Sequence, residues 1–132
     1  MREFTVSTER RTQLVDITRE VREAAGELDG VSAIAVYVPH TTAGLTINEH
    51  ADPAVARDFE SALERIVSDD WPWQHVEEGE ENAPTHVRAA FMGADVLVPV
   101  KDGRLALGTW QGIFLCEFDG PRSRSVYVTA LA

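Results

Sequence analysis

Histidine is the residue type in this chain best suited to chemistry, and it occurs four times, at His40, His50, His75 and His86. A neutral imidazole can bind a metal ion or accept a proton near neutral pH. No two of these residues have the spacing of a His-x-x-x-His motif, so spacing alone gives weak support for a metal site. His40 precedes two threonines, His75 follows two tryptophans, and His86 lies in the first turn of a predicted helix, whose dipole disfavours its cation. The alternatives are a capping or core-edge role for His40 and solvated side chains at His50 and His75.

Carboxylates near these histidines offer a second kind of chemistry. Segment 77–81 contains four glutamates, which form either a solvated run or a source of carboxylates for a site histidine or a divalent cation. Asn48, Glu49 and Asp52 form a separate polar cluster. Asp52 followed by Pro53 is explained by a helix start. Glu49 has no such capping role and is therefore a candidate base.

The segment 108–112, Gly-Thr-Trp-Gln-Gly, is the third candidate. Glycine allows a ligand to approach the backbone, Gln111 supplies a neutral hydrogen-bonding group, and Trp110 offers a flat wall. The alternative is a tight strand bend with Trp110 in the core. Three arginines are candidate anion clamps, although each alone is also explained as a surface cation: Arg88, Arg104 and Arg122.

Hydrophobic periodicity places these residues on particular elements, in the order β-β-α-β-β-α-α-β-β-β-β. Strands 4–7 and 13–17 are predicted to pair, Thr18 is a predicted helix N-cap, and Lys101-Asp102-Gly103 predicts a hairpin turn between strands 94–100 and 104–109. Consecutive hairpins favour antiparallel sheets with helices on one side. We therefore expect an α+β fold, with residues 1–132 forming a single domain.

Composition restricts the class of function. The net charge of −10 argues against nucleic-acid binding, which needs clustered cations. The single cysteine, Cys116, lies in an apolar run and is predicted to be a buried structural thiol. Neither a signal peptide nor a membrane-spanning segment is visible, so we expect a cytoplasmic protein with no membrane partner.

Several segments together resemble the YjbQ family, whose members are described as secondary thiamine-phosphate synthases. The resemblance covers nearly the whole chain and is carried by 40–49 (His-Thr-Thr-Ala-Gly-Leu-Thr-Ile-Asn-Glu), 51–53 (Ala-Asp-Pro), 73–75 (Trp-Gln-His), 77–79 (Glu-Glu-Gly), 82–88 (Asn-Ala-Pro-Thr-His-Val-Arg) and 105–113 (Leu-Ala-Leu-Gly-Thr-Trp-Gln-Gly-Ile). It implies a sandwich of two mainly antiparallel sheets with helices, a homotrimer, and a polar pocket near a subunit interface. Two positions depart from the family pattern: His50 stands where Asn or a small residue is frequent, and Arg88 where Lys is frequent.

The resemblance also implies roles for the matching residues. Glu49 and His86 are the expected catalytic groups, and His40, His75 and His86 the expected ligands of a divalent metal, zinc or manganese. The expected substrate-binding residues are Thr41, Thr42, Asn48, Arg88, Trp110 and Gln111. The implied function is a metal-assisted enzyme acting on a small phosphorylated molecule, with thiamine-phosphate synthesis as a side activity. The alternative is a non-catalytic trimer that binds a small anion or a metal.

Overall fold

The computed structural model describes residues 1–76 and 82–132, and within them the element order is the predicted one. The elements are β1 (Arg2–Ser7), β2 (Gln13–Asp16), α1 (Thr18–Ala25), β3 (Ala33–Tyr37), β4 (Ala43–Glu49), α2 (Pro53–Ile66), α3 (Ala83–Met92), β5 (Asp95–Lys101), β6 (Arg104–Leu105), β7 (Gln111–Glu117) and β8 (Ser123–Leu131). Strand β6 is much shorter than the predicted strand 104–109, because the chain leaves the sheet after Leu105 to form the turn that precedes β7.

The strands form two antiparallel sheets, which confirms the predicted α+β class. The large sheet has the order β1-β8-β3-β5-β6, and the small sheet has the order β2-β7-β4. The predicted pairing of β1 with β2 is wrong, since β1 pairs with β8 and β2 pairs with β7. The β1–β2 and β7–β8 connections cross between the sheets side by side, joined by hydrogen bonds from Thr8 N to Arg122 O (2.8 Å) and from Gly120 N to Arg11 O (3.0 Å).

The small sheet is packed on both faces. Leu45, Ile113 and Leu115 face the large sheet and share a core cluster with Ile34 and Val126, all fully buried. Phe114 and Cys116 point the other way, into a second cluster that includes Leu63 of α2 and Ala89 of α3. Cys116 is therefore the buried structural thiol that was predicted, and burial raises its pKa far above the ordinary range. Helices α2 and α3 cover the outer face of the small sheet, while α1 adds Val21 to the cluster between the sheets.

Local sequence explains the helix ends and the close approach of α3. Asp52 accepts a hydrogen bond from Ala54 N at 2.9 Å, which confirms it as the cap of α2. Thr18 is not the cap of α1 but its first residue, because Asp16 accepts from its backbone and hydroxyl. A Cβ at Gly44 would lie 2.7 Å from Gly93 O, so a glycine in β4 allows α3 to pack directly on the strand.

Lys101 and Arg104 pair across the predicted Asp-Gly turn, where Asp102 has φ 52° and Gly103 has φ 72°. Two positive φ values suit the tight turn that the hairpin needs. Among the described residues, no helix is long and apolar enough to cross a membrane.

Candidate functional site: the histidine pocket

One cavity brings together six of the residues predicted from sequence. It has a volume of about 390 Å³. We call it the histidine pocket; its lining residues are Pro39, His40, Thr41, Thr42, His75, Asn82, His86, Asp119, Arg122 and Arg124. They come from the β3–β4 connection, the segment before α3, α3 itself, the β7–β8 connection and β8. Convergence of polar side chains from separate segments is typical of a binding site.

His40 is held in one tautomer by the backbone of β8. Its Nε2 accepts a hydrogen bond from Ser125 N at 2.9 Å. Burial, helped by the positive charge of Arg124, lowers the pKa of His40 below its ordinary value. The ring is therefore neutral near pH 7 and carries its proton on Nδ1. In this arrangement neither nitrogen offers a lone pair to a metal, which argues against the metal-ligand role expected for His40.

This geometry predicts how His40 affects stability. The unfolded chain binds a proton at the ordinary histidine pKa of about 6.5, whereas the folded chain binds it only at lower pH. The free energy of unfolding should therefore fall as pH drops below about 6.5, and it should level off below the folded pKa. Urea unfolding at pH 7.5 and 5 should show a smaller difference in His40→Gln than in the wild type. Nitrogen-15 shifts should report Nδ1–H; an Nε2–H tautomer would contradict the assignment.

His75 and His86 form a second feature of the pocket. Their ring centroids lie 5.2 Å apart, with an interplanar angle of 79°. Within residues 1–76 and 82–132, no group of three or more His, Cys, Asp or Glu side chains is placed to hold a metal ion. The glutamates of 77–81, predicted as possible partners of a site histidine or a cation, lie outside the described residues. The described donors thus supply two adjacent imidazoles rather than a complete metal site.

A buried ion pair lies behind the pocket wall, and Arg124 is its member in the pocket lining. Glu117 is fully buried, and its Oε1 accepts from Arg124 Nε and from Thr8 Oγ1, each at 2.8 Å. Its Oε2 accepts from Arg124 Nη2 and from the backbone of Phe118 and Asp119. Burial opposes ionisation, but these hydrogen bonds hold the pKa of Glu117 below its ordinary value. Arg124 also donates to Thr42 Oγ1 at 2.7 Å, so the ion pair fixes the threonine at the pocket wall.

Asp119 organises the rim. Its Oδ2 accepts from Arg122 Nη2 at 2.8 Å and from Asn82 Nδ2 at 2.9 Å. The Asn82 Oδ1 atom is buried and makes no hydrogen bond to the described residues. A buried acceptor without a donor is costly. Because Asp119 holds Arg122, the rim presents a fixed guanidinium to the pocket.

Four other predicted site residues, Asn48, Glu49, Trp110 and Gln111, lie at the opposite end of the small sheet. Ala43 of β4 pairs with Glu117, whereas Glu49 pairs with Gln111. Strands rise about 3.3 Å per residue, so the six-residue separation places the two ends roughly 20 Å apart. Asn48, Glu49, Trp110 and Gln111 therefore do not reach the histidine pocket of their own chain.

The Gly-Thr-Trp-Gln segment is itself a turn. Gly108 N donates to Gln111 Oε1 at 2.8 Å, and Gln111 N donates to Gly108 O at 3.1 Å. This confirms the tight-bend interpretation for the backbone. The proposed burial of Trp110 is wrong, since the residue is 63% exposed.

The position of Arg88 does not fit the substrate-binding role expected for it. Its side chain is fully buried, and Nε and Nη2 both donate to Val67 O, at 3.2 and 2.6 Å. Nη2 also donates to Asp69 at 3.2 Å. The guanidinium thus joins α3 to the segment after α2 and does not line the histidine pocket. Arg104 is exposed on the β5–β6 hairpin, so Arg122 is the predicted anion clamp that reaches the pocket.

Sequence reasoning missed Glu117 and Arg124 as a pair. A signal was present, because Glu117 is the one charged residue in the apolar segment 112–118. A charge in a buried strand requires a partner. The chain contains 11 arginines besides Lys101, however, and sequence spacing could not identify which of them is the partner.

Comparison with known proteins agrees with this architecture. The family model described as UPF0047 protein YjbQ-like matches residues 2–132. The UPF0047 protein YugU of Bacillus subtilis is 44% identical over 126 residues, covering 93% of this chain and 92% of the relative. A UPF0047 protein of Archaeoglobus fulgidus is 41% identical over 129 residues, covering 98% and 99%.

Solved structures give the same result. An uncharacterized conserved protein of the YjbQ/UPF0047 family from Clostridium acetobutylicum matches with a TM-score of 0.91 at 41% identity, covering 99% of this chain and 100% of that one. A YbjQ-like protein of unknown function from Sulfolobus solfataricus matches with a TM-score of 0.89 at 35% identity, covering 98% and 94%. The chain therefore belongs to the YjbQ family of UPF0047 proteins.

Proposed function

We propose that this protein is an enzyme that acts on a small phosphorylated molecule bound in the histidine pocket. The observation that carries the proposal is the convergence of Arg122, Arg124 and three histidines on one cavity. The charge of Arg124 is compensated by Glu117, whereas Arg122 pairs with Asp119 at the rim, where its side chain is 53% exposed. Arginine in this setting suits a phosphate oxygen. Thr41 and Thr42 add hydroxyl groups at the same wall.

A neighbouring cavity offers space for the organic part of such a molecule. Its volume is about 580 Å³, and it shares His75 and His86 with the histidine pocket. Pro72, Trp73 and Val87 supply apolar wall. A ligand with a phosphate at Arg122 and an apolar body against Trp73 would therefore pass both imidazoles. In that pose, the bond next to the phosphate would come within reach of His75 or His86 as proton donor or acceptor.

The metal and the trimer expected from the family resemblance are part of the proposal. His75 and His86 would hold a divalent zinc or manganese ion, which would supply neutralisation of charge on a leaving phosphate. The described residues give only two of the ligands that such an ion requires, so the proton-transfer roles of the histidines are argued without it.

A homotrimer would give Glu49 a way to act, since Glu49 lies too far from the histidine pocket of its own chain. The outer face of the large sheet is a reasonable contact surface, because Tyr37, Leu97 and Leu131 are 47%, 59% and 40% exposed there. We propose the trimer on this basis, with Asn48, Trp110 and Gln111 at a neighbouring subunit's pocket.

The specific reaction we propose to test is thiamine-phosphate synthesis, in which hydroxymethylpyrimidine diphosphate and thiazole phosphate are joined and pyrophosphate is released. Calorimetric titration with pyrophosphate measures binding, and product formation with the two substrates measures turnover, each with and without added zinc or manganese. We expect Arg122→Gln to weaken pyrophosphate binding about tenfold, the loss of one charge-assisted contact. His86→Ala should abolish turnover and retain the fold.

Arg104→Gln is the matched control, because Arg104 is an exposed arginine outside the pocket. It should leave binding and turnover unchanged. Metal content measured by mass spectrometry in the wild type and in His75→Ala tests the metal separately. Pyrophosphate binding without turnover of any phosphorylated substrate would favour the non-catalytic anion- or metal-binding alternative. Equal binding by the wild type and Arg122→Gln would remove the basis of the proposal.

A further inference from the structure

A second histidine, outside the histidine pocket, is held as an oriented hydrogen-bonding group. His50 Nδ1 lies 2.9 Å from Asp16 Oδ2. Asp16 Oδ1 accepts from Thr18 N at 3.0 Å and from Thr18 Oγ1 at 2.6 Å. Burial acts against ionisation of Asp16, but the hydrogen bonds from Thr18 and His50 hold its pKa below the ordinary value. An ionised Asp16 requires Nδ1 to be the donor, so Nε2 of a neutral His50 carries a lone pair.

The surrounding chain is shaped to accept this ring. A Cβ at Gly112 would lie 2.4 Å from His50 Nδ1 and 2.7 Å from its Cβ, so the ring rests where only glycine leaves space. His50 N donates to Trp110 O at 3.0 Å, which fixes the backbone from the same side. Among the described residues His50 Nε2 makes no hydrogen bond, and the side chain is 31% exposed. The oriented nitrogen is therefore open to a ligand.

A cleft of about 360 Å³ adjoins His50, and its floor is apolar. Leu14 and Phe114 are buried side chains of the floor, and Ala56 of α2 lies beside them. This floor can contact the short hydrocarbon part of a small ligand.

The charged groups around the cleft are mostly committed to one another. Arg10 Nη1 pairs with Glu60 Oε1 at 2.8 Å, and Glu60 Oε2 also accepts from Leu14 N. Asp52 caps α2. Arg57 is the lining cation that has no ion pair within residues 1–76 and 82–132. A ligand would therefore meet one available guanidinium and one oriented acceptor.

We propose that His50 and Arg57 form a second ligand site for a small monocarboxylate that bears a hydroxyl group. The carboxylate binds Arg57, the hydrocarbon body contacts Leu14 and Phe114, and the hydroxyl donates to His50 Nε2. A phosphate dianion is disfavoured because Arg57 compensates one negative charge, and Asp16 and Asp52, which line the same cleft, would repel a second one. Asp16 is the positioning residue, since it acts through His50.

Lactate and propionate are suitable probes because they differ by one hydroxyl group. Titrations followed by amide and side-chain nitrogen-15 spectra should show saturable lactate shifts at His50, Arg57 and Ala56. Loss of one hydrogen bond should make propionate bind about tenfold more weakly, and methyl lactate, which has no charge, should produce no saturation. Arg57→Gln should weaken lactate binding by about tenfold or more.

His50→Asn keeps a donor to Asp16 and removes Nε2, so it should make lactate and propionate bind equally. Arg19→Gln, a neighbouring exposed arginine on α1, is the control and should retain wild-type affinity. His86→Ala should also retain it, which separates this site from the histidine pocket. Equal affinity of the wild type for lactate and propionate, or shifts confined to the histidine pocket, would overturn the assignment. So would the absence of saturable shifts with lactate.

Discussion

Replacing Arg124 with methionine should lower the free energy of unfolding by about 3–5 kcal/mol, the cost of leaving a buried carboxylate without its cation. Glu117 is fully buried and receives two hydrogen bonds from the Arg124 guanidinium. Thr8 and two backbone amides remain as donors in the variant, but none of them carries a charge. Urea unfolding at pH 7 measures the change directly.

A double variant distinguishes the loss of the pair from the loss of packing. Glu117→Met/Arg124→Met removes both charges, so it should be more stable than Arg124→Met alone. Arg122→Gln is the matched control. The Arg122–Asp119 ion pair is accessible to solvent and should contribute at most about 1 kcal/mol to the free energy of unfolding. If the single and double variants were equally stable, the unpaired Glu117 carboxylate would not be the cause of the lost stability.

Replacing Gly44 with alanine should be the second large effect, with a loss of about 1–3 kcal/mol from overpacking. The added methyl group would lie 2.7 Å from Gly93 O, 2.9 Å from Met92 Cβ and 3.0 Å from Ala89 O. These atoms belong to α3 and its C-cap, so relief of the clash requires α3 to move. Because α3 carries His86, the variant should also weaken pyrophosphate binding in the histidine pocket.

Gly108→Ala is the control for this prediction. The nearest atom to a Cβ at Gly108 is Gln111 Oε1 at 3.3 Å, the end of a flexible side chain. Its effect on the free energy of unfolding should therefore be small. Calorimetric or urea unfolding measures the free energy of unfolding of both variants. Equal losses in the two would show that Gly44 is not required by the contact between β4 and α3.

Local patterns were sufficient to predict the elements, because each is encoded by nearby residues. Asp52 and Pro53 identify the start of α2, and Asp102-Gly103 identifies the β5–β6 turn. The pairing of β1 with β2 could not be judged in the same way. Both strands are short, and a connection that contains two threonines, Thr8 and Thr12, fits a crossover between sheets as well as a hairpin. Only the tertiary contacts of that connection with the β7–β8 connection decide between them.

The types of residue in the candidate site were predictable from the sequence, but which of these residues lie together in one cavity was not. His40, His75 and His86 do line one cavity, but Glu49 and Trp110 belong to the other end of β4 and β7. The family resemblance implied that His40 and Glu49 belong to one site, whereas an extended strand carries its two ends apart. Arg88 was misjudged because a sequence cannot show that a guanidinium is consumed by a backbone carbonyl such as Val67 O.

Strands β4 and β7 connect the histidine pocket to the end of the small sheet where His50 lies, and they are covered on both faces by packed side chains. Sites more than about 10 Å apart that share no partner usually respond to substitution additively, to within roughly 0.3–0.5 kcal/mol. Within one subunit, the small sheet thus separates two surfaces that can change independently. A lineage could alter the ligand preference at one end without losing what the other end recognises.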